Sequence, residues 1–295
     1  MRLSPYGSLI VALVTPFDEN SQVNYKAAVG LARKLVSHGV DGILISGTTG
    51  ESPTLTAGEK IRLVSEVREA LDPSTMVWAG ASSYNTGDSV EMAKLVEKAG
   101  ADGILAVTPY YNKPDQEGLY RHFRAISEAV SLPIMLYNVP PRTSVNLLPG
   151  TVLRLSELKN IVAIKEASGI LDQTSAILES CGDDFYVFSG DDSLTLPILA
   201  LGGSGVVSVA AHLVASDMKN MIDFYAEGKI QEAQAVHYKL FKLFKTLFIT
   251  TNPVPVKTAL EMTGVQVGGF RLPLCPPEPK DKEVIRQVLG KMRLL

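Results

Sequence analysis

Residues 41–71 read DGILISGTTGESPTLTAGEKIRLVSEVREAL, and this stretch contains one complete strand–turn–helix unit. It begins with a short apolar run, which is typical of a parallel strand that is buried on both faces. Thr56 and Glu59 then have the spacing of a capping box. Apolar residues such as Ile61 and Val64 follow at helical spacing. The stretch therefore predicts a buried strand followed by an amphipathic helix.

The same unit recurs along the chain. The eight apolar runs are residues 8–17, 41–49, 76–82, 102–109, 133–140, 161–168, 185–192 and 205–212. Each is followed by a segment of helical character, and right-handed crossovers between such strands impose a parallel sheet. We therefore predict an α/β fold, the (β/α)₈ TIM barrel. A doubly wound open sheet is the alternative, but no GxGxxG motif follows the first run, which disfavours that fold and its dinucleotide.

The chain continues beyond the eighth unit. A barrel commonly needs about 250 residues, and this sequence has 295. Apolar residues recur at helical spacing between Ile230 and Leu247, and the segment Asn252–Pro255 then interrupts the pattern. We predict a catalytic (β/α)₈ barrel over residues 1–224 and a C-terminal helical region over residues 225–295.

Composition argues against several classes of protein. The net charge is −3, with 28 basic and 31 acidic residues, and no basic block suggests nucleic acid or a membrane surface as partner. The two cysteines and four histidines are scattered, so neither a disulfide nor a metal site is expected. No apolar segment approaches the ~20 residues that span a bilayer, and no signal peptide is visible. We expect a cytoplasmic protein without a metal or organic cofactor.

A lysine interrupts the apolar run of residues 161–168, which reads IVAIKEAS. Lysine is rarely buried unless it is paired, and the active sites of TIM barrels lie where the strands end. Alternation along a strand places Lys165 on the same face as the small Ala163. Val162 and Ile164 then face the helices. We therefore predict that Lys165 points into the barrel.

Burial would give Lys165 a chemistry that an exposed lysine lacks. Desolvation lowers the pKa of the ammonium and frees a neutral amine, which attacks a ketone to form an imine. Lys165 is thus a candidate Schiff-base nucleophile. The structural alternative, in which Lys165 extends to solvent or pairs with Glu166 or a nearby Asp, fits this strand equally well.

Two further strand ends carry polar groups. Tyr137 lies near the end of the fifth run and is a candidate acid/base for imine formation. Arg142, five residues later, is suited to bidentate binding of a carboxylate. The turn Gly47–Gly50 offers backbone N–H groups and the hydroxyls of Thr48 and Thr49 to a carboxylate. Taken singly, these features are also typical of an ordinary strand tyrosine, a solvated arginine and a common turn.

Six motifs in a fixed order give a more specific signal. They are Gly47–Ser52, Thr108–Pro114, Tyr137–Thr143, Ile164–Ala167, Ser189–Asp192 and Asn252–Lys257. In these motifs the chain resembles the pyruvate-dependent class I aldolase family that includes N-acetylneuraminate lyase. The resemblance extends from Gly7 to about Leu274, and it implies a lyase that works through a lysine imine without a cofactor.

The resemblance also implies roles for individual residues. Lys165 would form the Schiff base with pyruvate, and Tyr137 would act as general acid/base. Thr48 and Tyr111 would complete a proton relay, with Tyr111 reaching in from a neighbouring subunit of a homotetramer built from tight dimers. The implied substrate-binding positions are Thr49, Arg142, Val207 and Gly190.

Two features favour one branch of the family, which condenses pyruvate with L-aspartate 4-semialdehyde in lysine and diaminopimelate biosynthesis. One is the pair Thr48-Thr49, where neuraminate lyases typically have Ser-Thr. The other is Arg142 directly after two prolines. Aldolases of 2-keto-3-deoxy sugar acids and N-acetylneuraminate lyase, which use the same imine chemistry, are alternatives. A non-catalytic barrel that binds a small carboxylate is an alternative of another class.

A regulatory difference follows from the same resemblance. Lysine-inhibited members usually carry His or Glu where this chain has Lys60, Asn where it has Tyr84, and His where it has Ala57. A cation at position 60 would repel the ammonium groups of lysine. We predict that feedback inhibition by lysine is weak or absent, and an inhibition curve with a sub-millimolar midpoint would contradict this.

Overall fold

Eight parallel strands pair in chain order, and the last pairs with the first to close a barrel. The computed structural model describes residues 1–295. The strands are β1 (Leu9–Ala12), β2 (Gly42–Ile45), β3 (Met76–Gly80), β4 (Gly103–Val107), β5 (Ile134–Asn138), β6 (Ile161–Glu166), β7 (Tyr186–Ser189) and β8 (Gly205–Ser208). Each lies within one of the eight apolar runs, so the prediction of a (β/α)₈ barrel is confirmed.

Twelve α-helices connect and follow the strands. They are α1 (Tyr25–Ser37), α2 (Ala57–Ala70), α3 (Thr86–Lys98), α4 (Gln116–Ala129), α5 (Pro140–Thr143), α6 (Pro149–Ser156), α7 (Leu171–Ser180), α8 (Thr195–Ala200), α9 (Ala211–Ala226), α10 (Ile230–Thr246), α11 (Val254–Met262) and α12 (Pro279–Lys291). The short α5 is an extra helix in the loop between β5 and α6. None of the helices combines the length and the apolar character that a membrane crossing requires.

The capping box predicted at the start of α2 is present. The backbone N–H of Glu59 donates to the Thr56 hydroxyl at 3.3 Å, and the backbone N–H of Thr56 donates to the Glu59 carboxylate at 2.8 Å. Glu59 also accepts a hydrogen bond from Arg271 at 2.6 Å, which lowers the pKa of Glu59 to about 2. The start of α2 is therefore tied to the C-terminal part of the chain.

The barrel interior and the helix layer form separate apolar cores. Eleven buried residues, among them Ala163 and Phe188, make up the interior core. Ile164 belongs instead to the outer core between strands and helices. Since side chains alternate along β6, Lys165 points inward with Ala163, as the sequence predicts.

A β-bulge near the start of β6 interrupts that alternation. Ile134 pairs with Ile161 and Met135 pairs with Ala163, so Val162 has no partner in the register. Val162 packs against the interior core. The prediction that Val162 faces the helices is therefore wrong, because strict alternation fails at a bulge.

The C-terminal helices are fastened to the barrel by a buried ion pair. Lys257 of α11 donates to the Glu51 carboxylate at 2.8 Å, and both side chains are almost fully buried. Earlier in this region, α10 packs against α9 and α12. Since α9 ends at Ala226, the predicted boundary at residue 224 falls in its last turn, and α10 is the first helix wholly beyond that boundary.

Candidate active site

A cavity of about 410 Å³ opens at the C-terminal ends of the strands, where TIM barrels place their active sites. Six of the eight predicted site residues line it, and they define what we call the mouth cavity: Thr48, Thr49, Tyr137, Arg142, Lys165 and Gly190. The fold thus brings together residues from the loop after β2, from β5 and the short helix α5, from β6 and from the turn after β7. No group of three or more His, Cys, Asp or Glu side chains is arranged to hold a metal ion.

Lys165 is buried in the wall of the mouth cavity. Lys165 is 5% exposed, and its Nζ lies 4.4 Å from the centroid of the Tyr137 ring. Burial lowers the pKa of Lys165 to about 8, while the charge of Asp192 raises the pKa and that of Arg142 lowers it. At pH 7 such a group is neutral in about a tenth of the molecules. Lys165 therefore carries a partly deprotonated amine in the wall of the mouth cavity.

Glu166, the alternative partner of Lys165, has other partners. Its carboxylate accepts hydrogen bonds from the side-chain amides of Asn138 at 3.0 Å and Gln173 at 3.2 Å. The backbone N–H of Ser168 donates to it at 2.6 Å. Glu166 follows Lys165 in the strand and so faces the opposite side of β6. The structure therefore contradicts the interpretation in which Lys165 pairs with Glu166.

Asp192 is the carboxylate whose charge acts on Lys165. It is buried and accepts hydrogen bonds from the Ser208 hydroxyl at 2.5 Å and from the backbone N–H groups of Val209 and Ala210 at 3.1 and 2.9 Å. Burial raises the pKa of Asp192, and these hydrogen bonds lower it. In its ionised form Asp192 stabilises a positive charge on the lysine nitrogen. The sequence offers a nearby Asp as an alternative partner of Lys165 but does not identify Asp192.

Tyr137 is the phenol nearest to the amine. It is 6% exposed and belongs to the interior core. Burial raises the pKa of Tyr137, whereas the charge of Arg142 and a hydrogen bond with Thr48 lower it. The phenol is therefore neutral near pH 7, and it is placed to exchange a proton with an oxygen atom bonded next to the lysine nitrogen.

Asn252 connects two of the predicted substrate-binding residues. Its Nδ2 donates to the Thr49 hydroxyl at 2.9 Å, and its backbone carbonyl oxygen accepts from the Arg142 guanidinium at 3.4 Å. Its Oδ1 is buried without a hydrogen-bond partner, and the residue lines the mouth cavity. A buried acceptor in this state is open to a donor on a bound molecule. Asn252 lies in one of the six sequence motifs, yet the sequence does not assign it a role.

Gly190 and Val207 differ in how they relate to the cavity. A Cβ at Gly190 would lie 2.6 Å from the Cβ of Ala167 and 3.2 Å from the Cε of Lys165. Glycine at this position therefore leaves the space that the lysine side chain occupies. Val207 is 2% exposed, belongs to the interior core and does not line the mouth cavity, whereas Val209 does.

Comparison with known proteins identifies the family. Residues 5–292 match the model of the dihydrodipicolinate synthetase family. The chain belongs to the dihydrodipicolinate synthetase family. The resemblance that the six motifs indicate is therefore confirmed.

Relatives in this dihydrodipicolinate synthetase family align with nearly the whole chain. The 4-hydroxy-tetrahydrodipicolinate synthase 1 of Halalkalibacterium halodurans is 55% identical over 270 residues, which cover 92% of each chain. The crystal structure of the synthase from Cyanidioschyzon merolae with lysine bound has a TM-score of 0.97 at 44% identity and covers 99% of this chain and 100% of its own. A structure described as the first monomeric dihydrodipicolinate synthase variant has a TM-score of 0.96 at 41% identity. It covers 99% of this chain and 98% of its own.

Tyr111 lies outside the mouth cavity of its own chain. Its side chain is 90% exposed, and its φ of 72° is uncommon for a residue other than glycine. Tyr110 instead contacts Tyr84 edge-on, with ring centroids 5.3 Å apart. Because relatives in the dihydrodipicolinate synthetase family include a monomeric variant, membership alone does not fix the assembly. The role of Tyr111 in a neighbouring subunit stays a prediction.

Proposed function

We propose that this protein catalyses the reaction of the 4-hydroxy-tetrahydrodipicolinate synthases, the condensation of pyruvate with L-aspartate 4-semialdehyde in lysine and diaminopimelate biosynthesis. Relatives with that name match 92% of the chain or more. The observation that supports it most strongly is the buried amine of Lys165 in one cavity with Tyr137 and Arg142.

In the first half-reaction the neutral amine of Lys165 attacks the ketone carbon of pyruvate and forms a carbinolamine. Tyr137, in contact with Thr48, gives a proton to the carbinolamine hydroxyl, which leaves as water. The resulting iminium withdraws electrons, so a proton is lost from the methyl carbon and an enamine forms. The Thr49 hydroxyl, held by Asn252, would bind the pyruvate carboxylate.

In the second half-reaction the enamine carbon attacks the aldehyde carbon, and the aldehyde oxygen takes up a proton. Arg142 would hold the carboxylate of L-aspartate 4-semialdehyde with two hydrogen bonds. The amino group of this substrate then attacks the iminium carbon, which closes the ring and releases Lys165. Gly190 leaves room for the lysine throughout, and backbone groups near Val207 would complete the pyruvate site.

We further propose that the protein acts in the cytoplasm as a homotetramer built as a dimer of dimers. Tyr111 supports this, because it is exposed and its backbone adopts the left-handed conformation. Its side chain is therefore available to a second subunit. Light scattering measures the assembly. Mixed assemblies of Tyr111→Phe and Lys165→Met chains would regain part of the activity if the tyrosine acts across an interface.

Two measurements test the function. The purified protein is assayed with pyruvate and L-aspartate 4-semialdehyde, and separately with N-acetylneuraminate and 2-keto-3-deoxygluconate. Cleavage of a sugar acid without condensation would favour a sugar-acid aldolase. Borohydride reduction with pyruvate, followed by intact mass and peptide mapping, is expected to place an adduct on Lys165. If no adduct forms, both enzyme assignments fail and a non-catalytic carboxylate-binding barrel is favoured.

A further inference from the structure

His212 is a buried histidine that the proposed reaction does not use. It lies in the first turn of α9, at the end of the buried turn that leaves β8, and it is 7% exposed. Its ring contacts the backbone of Val14, in the loop after β1. His212 therefore joins the loops that follow β8 and β1, the two strands whose pairing closes the barrel.

The partners of the two ring nitrogens of His212 fix the position of its proton. The backbone N–H of Val14 donates to Nε2 at 3.1 Å, so Nε2 carries no proton. Nδ1 lies 2.9 Å from the carbonyl oxygen of Val209, which can only accept, so Nδ1 carries the proton. Burial lowers the pKa of His212 to about 4, and the hydrogen bond with Val209 raises it. The ring is therefore neutral in the pH range in which Lys165 titrates.

The peptide unit between Val209 and Ala210 is hydrogen-bonded at both ends. Its carbonyl oxygen accepts from Nδ1 of His212, and its N–H, which belongs to Ala210, donates to the Asp192 carboxylate at 2.9 Å. The N–H of Val209 donates to the same carboxylate oxygen at 3.1 Å. Hydrogen bonds in a chain polarise one another, so a donor at the carbonyl strengthens the N–H at the other end. His212 thus supports the backbone that binds Asp192.

The charge of Asp192 depends on this support, because all of its side-chain hydrogen bonds come from neutral donors. They are the two N–H groups and the hydroxyl of Ser208, and they offset the burial of the carboxylate. The neighbouring Asp191 disfavours the charge. The groups that act on Lys165 in turn are Asp192, Arg142 and the ring of Tyr137.

We infer that His212 is a positioning residue for the lysine chemistry: by donating to the Val209–Ala210 peptide, it holds the Asp192 carboxylate in its charged form near Lys165. His212 does not line the mouth cavity, so its effect on the amine passes through Asp192. The inference rests on the proposed function, since that function makes Lys165 the imine-forming residue. A histidine that only packs would affect stability and leave the titration of Lys165 unchanged.

Two replacements of His212 separate its donor from its acceptor. Asparagine can place an amide N–H where Nδ1 lies, but it has no atom at the position of Nε2. Glutamine can place an amide oxygen near the position of Nε2, but it has no donor at that of Nδ1. Each replacement leaves one buried backbone group without a partner, so both should lower the melting temperature by similar amounts. Only His212→Gln removes the donor to Val209, and His212→Asn is its matched control.

The pH dependence of Lys165 labelling by acetic anhydride, followed by peptide mapping of the full-length protein, measures the titration. Borohydride trapping with pyruvate is run in parallel. We expect His212→Gln to move the midpoint to lower pH by roughly half a unit, which raises the neutral fraction about threefold well below the midpoint. His212→Asn should leave the midpoint unchanged. Added to Asp192→Asn, His212→Gln should cause no further shift, because the two changes act through one carboxylate.

Four results would overturn the inference. The first is an unchanged midpoint in His212→Gln, and the second is an equal shift in His212→Asn. The third is an additive shift in the double variant, which would mean that His212 acts by a route other than Asp192. The fourth needs no variant: ¹⁵N NMR of the wild-type protein would show the His212 proton on Nε2 near pH 7. Failure of the proposed function is distinguishable, since it would abolish the pyruvate adduct in wild type, whereas the labelling midpoints would still compare the variants.

Discussion

Two lysines are buried near the C-terminal ends of the strands, and their surroundings are opposite. Lys257 is 1% exposed and donates to the Glu51 carboxylate at 2.8 Å and to the carbonyl oxygens of Thr15 and Gly269 at 3.0 and 2.5 Å. Lys165 is 5% exposed, and its Nζ lies against the ring of Tyr137.

The difference shows that burial alone does not make a lysine a nucleophile. Burial lowers the pKa of both ammonium groups, but in Lys257 the Glu51 carboxylate opposes that change at contact distance. An ammonium has three protons to donate, and Lys257 donates to three acceptors. Deprotonation would leave one of them unsatisfied. Lys165 has no comparable set of acceptors, so deprotonating it costs less free energy than deprotonating Lys257.

The largest expected effect comes from removing the unpaired lysine. Lys165→Met should abolish the adduct that borohydride traps with pyruvate and lower kcat by on the order of 10⁴-fold or more, because the covalent route is lost. Mass spectrometry and steady-state kinetics measure the two effects. Lys257→Arg, which keeps a cation at the buried pair, is the control and should still form the adduct on Lys165. An adduct on Lys257 would remove the basis of the comparison.

The ring against Lys165 should matter next. Tyr137→Phe removes the proton donor but keeps the ring, so kcat should fall by roughly 10²- to 10⁴-fold. The KM for pyruvate should change much less than kcat. Tyr110→Phe removes a phenol that is not in the lining of the mouth cavity, and it should retain most of the activity. Equal losses in the two variants would mean that Tyr137 is not a specific proton donor.

The paired lysine should control stability instead of chemistry. Lys257→Met leaves Glu51 buried without its cation, which should lower the free energy of unfolding by roughly 3 kcal/mol. Denaturant titrations at a fixed protein concentration measure this. The double variant Glu51→Gln/Lys257→Met should be more stable than Lys257→Met alone, because no unpaired charge remains. A double variant that is less stable would show that the charge is not the cause.

The sequence predicts those features that depend on neighbours along the chain. The capping box of Thr56 and Glu59 and the inward face of Lys165 follow from spacings within one turn or one strand. The bulge that turns Val162 inward does not follow from such spacings, because the register of β5 against β6 produces it.

Long-range contacts explain most of what the sequence leaves open in the site. Asn252 reaches Thr49 across 203 positions of the chain. Asp192 acts on Lys165 from a different strand end. The predicted role of Tyr111 in the proton relay would need a second chain. Patterns of neighbouring residues do not predict such long-range contacts, although both Asn252 and Asp192 lie in motifs that the sequence singles out.

The smallest effect, and the finest test of the comparison, is the pH dependence of imine formation. With a pKa of about 8 for Lys165, the neutral amine increases as the pH rises and levels off above that value. The initial rate of borohydride-trapped adduct formation with pyruvate should therefore rise roughly fivefold from pH 7 to pH 8 and flatten above pH 9. An exposed lysine of ordinary pKa would instead give a rate that rises about tenfold between pH 7 and pH 8. Asp192→Asn should move the midpoint to lower pH, because it removes a charge that favours the protonated amine. A midpoint near 10 in wild type would mean that burial does not lower the pKa of Lys165, and the contrast with Lys257 would be lost.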